Sequence, residues 1–306
     1  MHKIIPMKKN ILIVASFLLL AFTSCYNEDD VNVELGKNDV AFQDSNDSLD
    51  HYIYNFYKDY GTYIYYKYDT LDYRWDFNTL RSTITMTEQE DKDILMKGVK
   101  LLEQVFFNLY DDQFKKSYFP YKILLAKRID DKGYWSTSVL KSDYSTSFIA
   151  LGNVDENIDD LSDADIQDVK NSINFSFWLG YMIINGKLQI PDEFYNISHD
   201  YYKQNLRMLV STSDIDPDPA LVDPHKFGFL YGYLGVNRKV YTSGKYYWSP
   251  NEETDVEDFF ELIFNNTKSE IDEIIKDSPK LQDKYNILIS YVKEKLNFDL
   301  QSIAGY

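Results

Sequence analysis

Residues 162–186 read SDADIQDVKNSINFSFWLGYMIING and predict one long helix near the middle of the chain. Ser162 is typical of a helix N-cap, where a hydroxyl accepts a hydrogen bond from an otherwise unpaired backbone N–H. The apolar positions that follow are spaced by three or four residues, which places them on one helix face. They are Ile166, Val169, Ile173, Phe177, Gly180 and Ile184. Gly186 is typical of a helix end, so the helix is expected to stop there.

The chain before this helix mixes helical and strand periodicity. Residues 49–60 repeat apolar side chains at helical spacing and end at Gly61, which predicts a helix. Thr87-Glu88-Gln89-Glu90 matches a capping box and predicts a helix that continues to about Tyr110. Short runs rich in aromatic and β-branched residues predict strands. These runs are 62–68, 82–86, 121–127, 135–140 and 145–151.

The chain after Gly186 predicts mainly helices and loops. The helical candidates are residues 198–210, 227–234, 256–264 and 281–296. The fold class is therefore expected to be α+β, with a small N-terminal sheet and long helices in residues 49–185 and an α-rich lobe in residues 186–306. About 260 residues suit one large domain or two small ones, and we favour a single domain over 49–306.

The N-terminus has the pattern of a bacterial lipoprotein signal. Basic residues up to Lys9 precede an apolar run from Ile11 to Phe22, which is too short to span a bilayer. Phe22-Thr23-Ser24-Cys25 resembles the lipobox cut by the lipoprotein signal peptidase, which predicts a signal peptide over 1–24 and lipidation of Cys25. Cys25 is the sole cysteine, so no internal disulfide competes for it. The alternative is an ordinary signal peptide with an incidental cysteine.

Residues 25–48 are polar and weakly periodic, which predicts a tether. The cluster Asn27-Glu28-Asp29-Asp30 resembles the surface-export signal of Bacteroidetes lipoproteins, although a solvated linker has the same composition. The predicted location is therefore the outer membrane, with a lipid anchor and exposure at the cell surface.

Composition excludes some partners. Removal of residues 1–24, which hold three lysines and no acidic residue, changes the formal net charge from −17 to −20. Such a charge repels phosphate backbones and argues against nucleic acid. It also argues against binding to anionic lipid beyond the anchor. The 27 tyrosines could stack on sugars, but half-buried packing is the interpretation we favour.

Several blocks of sequence, in the same order, resemble one family of predicted zinc-binding metallopeptidases from Bacteroidetes. The blocks are 49–60 with 64–68, 119–125, 190–198, 227–233, 257–261 and 291–300. The family is also described as substrate import-associated zinc metallohydrolase lipoproteins. The resemblance implies a zincin-like metallopeptidase scaffold. It also implies a TonB-dependent transporter and its nutrient-binding lipoprotein as partners.

In that family the long central helix carries HExxH, in which two histidines bind zinc and the glutamate activates water. The resemblance sets Phe177, Trp178 and Tyr181 at the positions of these three residues. Residues 169–191 contain no His, Asp or Glu in any register. Phenylalanine offers zinc no ligand atom, and tryptophan has no carboxylate that could accept a proton from water. The sequence therefore predicts no metal site, no zinc cofactor and no catalytic residue in this helix.

Three functions remain open from the sequence. The favoured one is a non-catalytic surface lipoprotein that binds a peptide or glycan in an aromatic cleft beside an importer. Its candidate binding residues are Trp178, Tyr181, Glu257 and Glu261, although the two glutamates also fit a solvated acidic helix face. The third function is a structural envelope protein in which packing closes the cleft.

The second function is an active metallohydrolase with a displaced zinc site. Its ligands would come from His199, His225 and the Glu257/Glu261 pair, with Asp223 beside His225. Nothing in the spacing requires these groups to meet, and isolated histidines such as His51 are more often ordinary surface or core residues. The sequence has no GxSxG, P-loop or Cys–His pair that predicts other chemistry.

Overall fold

The computed structural model describes residues 44–74, 83–133, 135–206, 209, 222–231 and 248–304. The predicted signal peptide, Cys25 and most of the tether over 25–48 lie outside this range. The described residues form a mixed α+β fold with a six-stranded sheet and many helices. The α+β class is therefore confirmed, whereas the zincin-like scaffold stays a prediction.

The sheet is organised around one long strand. Its strands are β1 Tyr63–Tyr65, β2 Ile84–Glu88, β3 Lys122–Lys132, β4 Thr137–Leu140, β5 Ser142–Tyr144 and β6 Phe148–Leu151. The first half of β3 pairs in parallel with β1 and β6, and β5 pairs antiparallel with β6. The second half of β3 pairs antiparallel with β2 and β4.

The helices cluster before, between and after these strands. They are α1 Ser48–Tyr60, α2 Thr70–Arg74, α3 Lys92–Val105, α4 Asp112–Tyr118, α5 Asp163–Phe175, α6 Asp192–Asn196, α7 Glu252–Asn265, α8 Lys268–Ile275 and α9 Pro279–Leu296. A π-helical segment, Ser176–Met182, continues α5 directly. No helix in the described part of the chain is long and apolar enough to cross a membrane.

The predicted helix start at Thr87 is wrong. Thr87 and Glu88 belong to strand β2, where their backbone groups pair with β3. The helix begins later, because the Asp91 carboxylate caps it by accepting hydrogen bonds from two backbone N–H groups, and it ends at Val105 rather than Tyr110. Sheet pairing thus outweighs the local capping pattern.

The other predicted boundaries agree in part with those in the structure, where a strand extends only as far as its backbone pairs with a neighbouring strand. The predicted helix over 49–60 and its stop at Gly61 are confirmed. The predicted strand over 62–68 is reduced to Tyr63–Tyr65, because only these residues pair with β3. In the described part of 198–210, a short 3₁₀ turn at His199–Tyr201 replaces the start of the predicted helix. Residues 202–205 are not helical either. The predicted helix over 227–234 is wrong in its described part, because a 3₁₀ turn at Pro224–Phe227 ends at Gly228, which has a positive φ, and residues 229–231 are not helical. Residues 207, 208, 210 and 232–234 lie outside the described residues.

The main core lies between one sheet face and the long helices. Side chains alternate along β3, so Ile123 and Leu125 join the main core while Leu124 and Ala126 join a smaller cluster on the other face. Helices α3, α5, α7 and α9 contribute buried residues to the main core. The π-helical segment lies within this core, and its position determines what the predicted motif residues contact.

Candidate functional site

The segment at the predicted motif position is packed core. Phe177 and Trp178 expose no surface, and Tyr181 is buried as well. Their rings contact an aromatic cluster from α4, the segments directly before and after it, and the C-terminal segment. Its other members are Phe106, Tyr110, Phe114, Phe119 and Phe298. The structure therefore corrects the expectation of an open aromatic cleft at Trp178 and Tyr181, since neighbouring rings fill that space.

A buried chain of hydrogen bonds satisfies the polar atoms of this cluster. Trp178 Nε1 donates to the Tyr110 hydroxyl at 2.8 Å, and that hydroxyl donates to Asn174 Oδ1 at 2.7 Å. Asn174 Nδ2 donates to two backbone carbonyls, those of Val105 and Lys170. Burial raises the pKa of Tyr110 well above its usual value, so its proton stays available for this chain.

Tyr181 lies at the edge of the cluster, where it holds a lysine. Lys187 Nζ donates to the Tyr181 hydroxyl at 2.9 Å and lies 4.7 Å from the ring centroid. The same ammonium lies 3.4 Å from the Tyr118 carbonyl oxygen. Burial lowers the pKa of Lys187 and raises the pKa of Tyr181. Lys187 is therefore directed toward α4.

The zinc ion that the family resemblance implies does not fit this segment. Rings occupy the position, and residues 169–191 offer no imidazole or carboxylate. Among the residues that the structure describes, no three His, Cys, Asp or Glu side chains are grouped to hold a metal. His199, His225 and Glu257 therefore do not form the displaced site. His51 instead lies at the surface beside Asp44 and Asn55.

A groove of about 590 Å³ lies next to the packed segment. It is lined by the end of the π-helical region, the turn that follows it, α6 and the first turns of α7. The aliphatic part of its wall consists of Leu179, Ile183, Ile184, Leu188, Ile190 and Val256. Leu188 and Val256 are buried, whereas Ile184 is 50% exposed. The groove thus presents an apolar surface that solvent can reach.

The turn at Gly186 sets the shape of one groove wall. Gly186 adopts a φ of +64°, a conformation that glycine reaches without strain and that ends the helix. The backbone N–H groups of Lys187 and Leu188 then both donate to the Met182 carbonyl, at 2.9 and 3.1 Å. This reversal directs the chain back along the helix end and brings Leu188 into the groove.

Gly180 explains how the sheet side of the groove is built. A Cβ atom at this position would lie 2.3 Å from Cγ of Tyr144, so only glycine allows the ring to approach the backbone this closely. Tyr144 belongs to β5 and lines the groove. Gly180 is therefore required for the packing of the Tyr144 ring. The sequence pattern had indicated only that Gly180 lies on the apolar face of the helix.

The groove has an acidic wall. Glu252, Glu253 and Glu257 line it from the first two turns of α7. None of the described residues that line the groove is a lysine or arginine. Tyr195, another lining residue, has a pKa raised to about 12 by burial and, after that, by nearby carboxylates including that of Glu252. The charged side chains that the structure describes in the groove lining are therefore all acidic.

This chain shows little similarity to known proteins. No protein-family model matches this chain, and no curated protein matches it. One similar solved structure is described as "a putative zinc-binding metallo-peptidase" from Bacteroides caccae. The chains are 14% identical, and the match covers 82% of this chain and 86% of the other with a TM-score of 0.45. A likeness this distant carries no inference about fold or activity.

The four predicted binding residues separate into different environments. Glu257 lines the groove, whereas Trp178 and Tyr181 lie in the core. Glu261 lies one turn further along α7, near Tyr231, whose pKa rises to about 12 through burial and then through Glu261 and Asp258. The sequence did not identify the aliphatic residues of the groove. The position of Ile184, at the end of the apolar stripe and near the helix stop at Gly186, could have indicated an exposed apolar side chain.

Proposed function

We propose that this chain is a lipid-anchored, surface-exposed protein of the outer membrane that binds a peptide or glycan and has no hydrolase activity. The order of the sequence blocks supports a metallopeptidase-like, zincin-like scaffold. The same resemblance supports a role in nutrient uptake, in which the protein acts beside a TonB-dependent transporter and its nutrient-binding lipoprotein. The protein would then be a pseudoenzyme.

The anchor part of the proposal rests on the sequence. A basic start, an apolar run and Thr23-Ser24 before Cys25 are the features that support cleavage and acylation. The intact mass of the mature protein tests this part directly. Acyl chains on an N-terminal Cys25 support it, and an unmodified cysteine or a different N-terminus contradicts it.

The observation that carries the binding function is the groove beside the packed segment. Ligand sites are typically concave and mostly apolar with a few polar groups, and this groove matches that description. The segment that would supply catalytic groups in the family instead supplies buried rings. Binding at the groove needs neither a metal nor a general base. The groove residues therefore support recognition of a ligand, and they give no support to its hydrolysis.

Replacing Ile184 with asparagine is expected to abolish ligand binding without unfolding the protein. Half of the Ile184 surface is exposed, so the change makes the apolar wall polar without altering its charge, and it removes little core packing. The wild type and the variant are compared on immobilised peptide and glycan arrays. We expect wild-type binding that the variant loses. Equal array signals from both proteins, with the same melting temperature, would rule out the groove.

A further inference from the structure

The groove has the size and surface of a site for bulky apolar side chains. Its volume of about 590 Å³ lies within the range of about 300–1,000 Å³ that is usual for ligand sites. Its wall combines branched aliphatic side chains with Tyr144 and Tyr195. Apolar groups of a ligand would bury the exposed surfaces of Ile184 and Tyr144, which favours association.

The charge of the groove selects for a cation. The partial positive charge at the start of α7 is about half an elementary charge, which the two carboxylates of Glu252 and Glu253 outweigh. Lys187, in the adjoining turn, is held by Tyr181 and directed away. An anionic ligand would be repelled, whereas a lysine or arginine side chain would find carboxylate partners.

Two other occupants fit the groove less well. A glycan would find hydrogen-bond partners at the carboxylates and at Gln189, but its other hydroxyl groups would lie against the aliphatic wall, where no hydrogen bond replaces those lost to water. A second copy of this chain would bring a formal net charge of −17 toward the same acidic surface. Each of these occupants would give binding results that differ from those expected for a basic peptide.

We infer that the groove binds peptides in which lysine or arginine side chains stand next to bulky apolar ones. This inference rests on the proposed binding function and narrows its ligand class. The carboxylates on α7 would contact the basic side chains. The aliphatic wall from Leu179 to Ile190 would receive the apolar ones.

Three capped hexapeptides test the charge requirement on the mature lipoprotein in detergent. The first alternates lysine with leucine and phenylalanine, and the others carry glutamine or glutamate in place of each lysine. Fluorescence anisotropy measures the dissociation constants at low and high salt. We expect the lysine peptide to bind about tenfold or more tightly than the glutamine peptide, the glutamate peptide to bind most weakly, and the differences to shrink with salt.

A charge-matched pair of variants locates the effect. Glu252→Gln/Glu253→Gln removes two charges from the groove. Glu90→Gln/Asp283→Asn removes two charges from exposed positions that do not line it. The groove variant is expected to weaken binding of the lysine peptide about tenfold and to leave the glutamine peptide unchanged. The control variant is expected to change either affinity less than about twofold.

Each other result overturns the inference in a distinct way. Equal affinities for the three peptides, or equal effects of the two variants, exclude selection by groove charge. Displacement of the lysine peptide by a neutral oligosaccharide identifies a glycan site instead. A dimer that Ile184→Asn converts to a monomer identifies a second copy as the occupant. Failure of every peptide and oligosaccharide to bind the wild type overturns the proposed function itself.

Discussion

Replacing Trp178 with alanine is expected to destabilise the protein by about 3–5 kcal/mol, the usual effect of removing a large ring from a core. The side chain exposes no surface and contacts rings of Tyr110, Phe177 and Phe298. Its N–H also donates to the buried Tyr110 hydroxyl, so the variant loses packing and a hydrogen bond together. Urea denaturation followed by circular dichroism measures the change in unfolding free energy.

Two further variants separate the contribution of ring packing to stability from that of the hydrogen bond. Trp178→Phe keeps most of the ring but loses the hydrogen bond, so we expect a smaller effect of about 1–2 kcal/mol. Trp135→Ala removes the same residue type from a position that is 92% exposed, and its effect should stay within about 0.5 kcal/mol. If Trp178→Ala behaved like Trp135→Ala, the ring could not be part of a packed core.

A buried ion pair joins two helices of the C-terminal half. Lys284 Nζ lies 2.6 Å from Asp255 Oδ2, which also accepts a hydrogen bond from the Tyr202 hydroxyl, and the ammonium donates to the Gly228 carbonyl. Burial raises the pKa of Asp255 even though Lys284 opposes the shift, and burial lowers the pKa of Lys284. Both directions show that removal from water penalises these charges.

Lys284→Met is expected to destabilise the protein by about 3–5 kcal/mol, because it leaves the Asp255 carboxylate buried without its cation. The double variant Lys284→Met/Asp255→Leu is expected to be much less affected than the single one, since neither charge remains to be buried. Lys127→Met breaks an exposed pair with Glu156, and solvent screening is expected to leave the unfolding free energy of that control nearly unchanged.

A double-mutant cycle on unfolding free energies measures the coupling between the two residues. Strong non-additivity supports the ion pair as a joint structural element of α7 and α9. Additive effects of Lys284→Met and Asp255→Leu would show that the two side chains do not depend on each other.

Local patterns predicted the elements that depend on local contacts. Ser162 caps α5 through a reciprocal hydrogen bond with Asp165, and Gly61 ends α1 in a left-handed conformation, as the sequence indicated. Thr87 was misplaced because its backbone pairs with a strand some 40 positions away, which no local window contains. The π-helical continuation at Ser176–Met182 was not indicated by the apolar spacing, which predicted one uninterrupted helix up to Gly186.

The candidate site was predicted less well than the fold. The sequence showed that the motif positions lack metal ligands, and it identified Glu257 as a candidate, which the structure places at the groove. It could not distinguish a cleft at Trp178 from a filled core, because that depends on rings from distant segments such as Phe298. Nor could it show that Lys187 is directed away from the groove, since that depends on Tyr181 and α4.

The zinc content of the protein, purified from a zinc-supplemented culture without chelators, tests most directly whether this helix holds a metal. Elemental analysis by mass spectrometry gives the number of zinc ions per chain. Because rings fill the motif position and no carboxylate or imidazole is within residues 169–191, we expect far less than one zinc per chain. A stoichiometry close to one, with a crystal structure that shows the ion tetrahedrally bound by side chains, would contradict this conclusion.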